Sequence, residues 1–110
     1  MKNNNAKNKA QLIFDNIKVR VNNMEELEIV LFWLNFLKLT WLSGDSYNSK
    51  FMKITLKGTF LRGAECVILN PSKGTWGGHA EYLNNKLINA KQLVRMCKDY
   101  KLKKNGTKRT

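Results

Sequence analysis

The sequence predicts an α+β fold, with helices packed on one face of a mostly antiparallel sheet in the order β-α-β-β-β-α. Three observations carry that expectation. Ile17, Val19 and Val21 alternate with Lys18 and Arg20, the period-2 pattern of a half-buried strand. Leu27, Val30, Leu31, Leu34 and Leu37 recur at helical spacing. Later stretches, 51–60 and 65–69, again read as strands bounded by turn residues.

Taken in order, residues 1–12 are rich in Asn and Lys with almost nothing to bury, and predict a flexible basic arm. A single domain over 13–98 follows, since 110 residues leave room for one core. After the first strand, Asn22-Asn23 breaks the chain and offers an N-cap, with Glu26 at capping-box spacing from Asn23. The helix from Met24 to about Lys38 has Glu25, Glu26 and Glu28 at its positive end and Lys38 at its negative end, as the macrodipole favours. It bears a second apolar stripe, Ile29, Phe32, Trp33 and Phe36. Either a loop or terminal segment covers that face, or it is a homodimer or partner interface.

Thr40-Trp41-Leu42-Ser43-Gly44-Asp45 predicts a short strand running into a turn. Between Phe51 and Phe60, Met52, Ile54 and Leu56 alternate with Lys53, Thr55 and Lys57, and Gly58 suggests a bulge. A turn at Arg62-Gly63 leads to an apolar strand, Glu65 to Leu69. The stretch 70–79, with the single proline and three glycines, predicts irregular loop. A last strand falls at Glu81–Leu83 or at Lys86–Ile88. Asn89 and Gln92 then repeat the capping-box spacing and open a helix near Ala90, buried through Leu93, Val94, Met96 and Cys97. Residues 99–110 predict a basic tail.

Charge is the strongest compositional signal. Twenty Lys and Arg against eight Asp and Glu give +12. Part of the Lys and Asn excess fits an AT-rich coding bias, but that bias does not suppress acidic residues. Such a field attracts phosphate polymers and acidic proteins. Parity places Lys18, Arg20, Lys53 and Lys57 on the sheet face away from the helices. Arg62, Lys73 and the tail extend that patch, which predicts backbone contacts to nucleic acid with little sequence preference. A second patch is the C-terminal cluster of Lys91, Arg95, Lys98, Lys101, Lys103 and Lys104. Lys91, Arg95 and Lys98 would form one ridge on a helix. For the sheet face the plainer alternative is a solvated polar surface, and the helical ridge would also suit the acidic surface of a host protein.

Chemistry beyond binding finds little support. His79 is the only histidine, and no spacing brings Cys66, Cys97 or a serine to it. One His and two separated Cys are too few for a metal site, and no cofactor is implied. Lys73-Gly74-Thr75 imitates the end of a P-loop, but Ile68 stands where the first glycine belongs. The expectation is therefore a protein without catalytic residues. Trp76 either stacks on a base or pins its loop to the core. The longest apolar run, Ile29 to Leu34, is far below the roughly 18 residues of a membrane span. The polar N-terminus lacks the apolar stretch of a signal peptide, and unpaired cysteines fit a reducing compartment.

The strand Ile17–Val21, the Asn- and Glu-rich helix start, the motif Trp41-Leu42-Ser43-Gly44 and a short terminal helix after a strand together carry a resemblance. Over roughly residues 14–97 the chain resembles the small accessory proteins of tailed bacteriophages, especially T-even-like phages, in which a Trp-x-Ser-Gly turn follows the first helix. The chain is more basic than that pattern and adds the glycine-rich loop at 74–78. The resemblance implies a host-takeover or anti-defence role in the bacterial host cytoplasm, such as countering a toxin–antitoxin system. RNA is then the expected partner, with a host defence protein or toxin as another. The alternative is a protein-interaction inhibitor docking on a host enzyme through the aromatic helix face.

Overall fold

The computed structural model describes residues 9–77 and 85–109, with side chains for 10–77 and 85–102. It has the expected α+β class. Its elements are a 3-10 helix (Lys9–Phe14), β1 (Ile17–Val21), α1 (Met24–Phe36), α2 (Lys50–Leu61), β2 (Val67–Asn70), β3 (Thr75–Gly77), β4 (Lys86–Asn89) and α3 (Ala90–Arg109). The strands form one sheet in the order β3-β2-β1-β4. β1–β2 and β2–β3 are antiparallel, and β1–β4 is parallel.

Two β→α units make the frame. In each, a strand runs into an asparagine cap and then a helix. The Asn23 side chain accepts from the Glu26 amide at 2.8 Å, while the Glu26 carboxylate accepts from the Asn22 amide rather than that of Asn23. The second cap is fully reciprocal: Asn89 accepts from the Gln92 amide at 2.8 Å, and Gln92 accepts from the Asn89 amide at 2.9 Å. Each such cap satisfies helix N–H groups that would otherwise lack partners. Since β1 and β4 are parallel neighbours, the two units lie side by side, and α1 packs against α3.

α1 stops at Phe36 because Lys38 adopts a left-handed φ of 67°. The Leu39 amide then donates to the Leu34 carbonyl and the Lys38 amide to Asn35, the paired bonds of a Schellman motif. Gly63, at φ 104°, ends α2 in the same way. Val19, Val21, Val67, Leu69 and Ile88 share the core face of the sheet with Leu27, Val30, Leu31 and Leu34 of α1 and Leu93 and Cys97 of α3.

Several expectations are corrected. The segment 51–60 is helix, not strand: Met52, Leu56 and Phe60 recur every four residues and turn inward, with Leu56 wholly buried. The Thr55 and Thr59 hydroxyls donate to carbonyls four residues back, which satisfies the hydroxyls within the helix. Thr40–Leu42 makes only a single bridge, Thr40 to Ser46, around the Gly44 turn. The stretch 70–79 is not all loop, because 75–77 forms β3 after a tight turn at Asn70–Gly74. Of the two places for the last strand, Lys86–Asn89 is strand, whereas Glu81–Leu83 and His79 lie outside the described residues.

The ends differ as well. Residues 9–12 belong to the 3-10 helix rather than to an arm, since Ala10 and Phe14 enter the core and Gln11 donates to the Ser72 carbonyl at 2.9 Å. Beyond 98 the chain continues as helix to Arg109.

Candidate nucleic-acid interface

The basic sheet face does not form. Lys18 is only 3% exposed, and Ile68 and Asn70, which share its side of the sheet, are buried. Arg20 is half-buried, with its Nε donating to Asn22 Oδ1 at 2.9 Å. Lys53 and Lys57 leave the sheet altogether, because they sit on α2, and Arg62 caps that helix. Lys73 stands in the turn before β3. These six cations are therefore not one surface.

The second predicted cluster does assemble. Lys91, Arg95, Lys98 and Lys101 are all exposed along α3. The side chains of Lys103 and Lys104 lie outside the described residues, on the continuing helix. The spacing i, i+4, i+7 puts Lys91, Arg95 and Lys98 on one ridge, as the sequence implied.

This ridge meets the aromatic stripe of α1. The Lys98 ammonium stands 6.0 Å from the centre of the Trp33 indole, and the Lys101 ammonium 5.0 Å from that of the Phe36 ring. Trp33 and Phe36 are three residues apart, as are Lys98 and Lys101, so the helices run in the same direction past each other. The rings form a cluster of their own. Phe32 and Phe36 stack at 6.5 Å with planes 19° apart, and Trp33 meets both edge-on at 5.5–5.8 Å. Trp33 also packs on the core, which holds the cluster in place.

Among the described residues, neither a loop nor a terminal segment hides Phe32 and Phe36, which are 61% and 43% exposed. Ile29 extends the same face. Residues predicted as two rival sites thus form one surface of flat apolar rings edged by ammonium groups. Ring faces attract cations through their quadrupole, and both features suit a chain of bases and phosphates. Sequence reasoning named these residues but missed their adjacency. The matched i, i+3 spacing on the two helices was the available signal.

Other candidates are set inside the fold. Burial pushes the Cys97 thiol from 9.0 to about 12, which keeps it protonated in the core. Among the described residues no three His, Cys, Asp or Glu side chains come together as a metal site, and no helix is long and apolar enough to cross a membrane. Trp76, on β3 beside Leu69, is half-buried against the core, which is the pinning alternative. No family model, curated protein or solved structure matches this sequence.

Proposed function

We propose that the chain binds single-stranded nucleic acid, with RNA the first ligand to test, across the α1–α3 surface. The observation that carries this reading is the placement of Lys98 and Lys101 beside the rings of Trp33 and Phe36. Bases stack on Phe32 and Phe36, while Lys91, Arg95, Lys98 and Lys101 take the phosphates. Stacking of this kind tolerates any base, so the expected binding has weak sequence preference and a steep dependence on salt. The net charge of +12 supplies the long-range attraction.

The anti-defence role implied by the phage resemblance belongs to the same proposal: RNA held or masked in a bacterial cytoplasm. An inhibitor docking on a host enzyme would use the same exposed rings, and Ile29 with them. The two readings differ in what the outlying cations do.

Fluorescence anisotropy with a labelled single-stranded RNA and its DNA counterpart tests the proposal. Lys98→Glu/Lys101→Glu should abolish binding, and Lys91→Ala or Arg95→Ala should each lower the slope of log affinity against log salt by about 0.7. Affinity that survives the double charge reversal overturns the reading.

A further inference from the structure

The face of α2 turned away from the core carries a second apolar surface, which has no partner among the described residues. Phe51, Ile54 and Leu61 are each at least 70% exposed. They stand at spacings of three and seven, and Gly58 completes the alternation of three and four that makes a straight seam along a helix. The residues that anchor α2, Met52, Leu56 and Phe60, point the other way. Single exposed apolar side chains are ordinary, but an aligned row of them marks a contact surface.

The charges that α2 itself carries are of one sign. α2 contains Lys50, Lys53 and Lys57 and no acidic residue. Helical geometry sets all three lysines along one flank of the seam. Arg62 reaches in from the end of the helix, its guanidinium 3.2 Å from where a Cβ on Gly58 would stand. Lys50 also sits at the positive end of the helix dipole, and the Ser49 side chain makes no cap there. An acidic group from outside would relieve both.

We infer that the seam of α2 is the docking site for an acidic amphipathic helix of a partner protein, whose apolar side chains lie on Phe51, Ile54 and Leu61 and whose carboxylates meet Lys50, Lys53, Lys57 and Arg62. Helix-in-groove recognition uses this combination of apolar anchors and flanking charge. Charge complementarity chooses the occupant. A second copy would bring another +12 chain and the same lysines to the seam, and the chain's own ends are basic too, with Lys2 and Lys7 at one and Lys108 and Arg109 at the other. The inference is independent of nucleic-acid binding, because it uses a different helix and none of the same residues.

The test uses the full chain and two synthetic helical peptides of identical composition. One has leucines at the i, i+3, i+7 spacing among glutamates, and the other has the same residues scrambled. Anisotropy of the labelled peptides should show the patterned one binding at least tenfold more tightly. Phe51→Ser/Ile54→Ser and, separately, Lys53→Glu/Lys57→Glu should each remove that difference. Both variants should retain the native circular dichroism spectrum, since the replaced side chains are not in the core. Equal binding of the two peptides would reduce the seam to bulk charge attraction and overturn the inference. So would a wild-type dimer in sedimentation that Phe51→Ser/Ile54→Ser converts to monomer, for then a second copy is the occupant.

Discussion

The backbone amide of Leu42 donates to the carbonyl of Gly74 at 2.9 Å, tying the segment after α1 to the turn before β3. The approach is so close that a Cβ on Gly74 would stand 2.5 Å from the Leu42 nitrogen and 2.7 Å from the Thr40 oxygen, both backbone atoms. Gly74 also holds a φ of 70°, in the left-handed region. Gly74→Ala should therefore destabilise the fold by about 2 kcal/mol or more, from backbone strain and from separation of the two segments. For a domain of this size that is a fall in Tm of roughly 10 °C. Thermal unfolding followed by circular dichroism checks it. Gly44→Ala is the matched control, because it too has a positive φ, of 97°, but open space at its Cβ. It should cost clearly less.

Phe32 and Phe36 separate stacking from simple apolar contact. Phe32→Leu/Phe36→Leu keeps an apolar surface and removes the rings. If bases stack there, RNA affinity should fall about tenfold or more, since each stacked base contributes roughly 1–3 kcal/mol. Stability should change little, because both rings are largely outside the core. A variant that binds RNA as tightly as the wild type counts against stacking.

Asn89 links the sheet to the basic helix. It pairs with Arg20 in the parallel ladder and also caps α3. Asn89→Ala should lower stability by about 1 kcal/mol through the lost cap. Asn89→Asp, which keeps an acceptor and adds charge at the positive end of the helix, should restore it. Chemical denaturation of the three proteins provides the comparison.

Alkaline pH should unfold the protein through two groups that are neutral in the core. Burial holds the Cys97 thiol at about 12 against 9.0, and it raises the buried Tyr47 hydroxyl above its ordinary 10.0. In both the folded value exceeds the unfolded one. Their contribution is thus intact below pH 9 and is lost as pH rises from there, Cys97 first and Tyr47 from about 10. The loss should be on the order of 1 kcal/mol per pH unit for each group once its window is entered. Urea midpoints at pH 7, 9 and 10.5 measure it. In Cys97→Ala the decline should begin nearer pH 10.

The parts of this fold that local chemistry dictates can be read directly from the chain. The alternation of Ile17–Val21, the leucine stripe of α1 and the two asparagine caps each need only neighbouring residues. The segment 51–60 is different, because Met52, Ile54 and Leu56 fit a strand while Met52, Leu56 and Phe60 fit a helix. Only the core surface that receives Leu56 decides between them. That one element displaced Lys53 and Lys57 and dissolved the expected basic sheet face. Lys18 shows the same limit: parity gives its side of the strand correctly, but not that this side is closed. The α1–α3 surface depends on which helices are neighbours, and that follows from β4 joining β1 in parallel.

That parallel pairing has a consequence for the order of events during synthesis. β1 is made early, yet one of its two neighbours, β4, is synthesised only after the 64 residues that separate the two strands. Until then β1 has an open hydrogen-bonding edge, and α1 has no α3 beside it. Closing so large a loop is entropically slow, and an unpaired strand edge with apolar side chains is prone to wrong association. The nascent chain must therefore wait, incompletely folded, for its own C-terminal third. Trimming that end should strip α3 from α1, Lys101 from Phe36 first and Lys98 from Trp33 next, before it reaches β4 and the sheet.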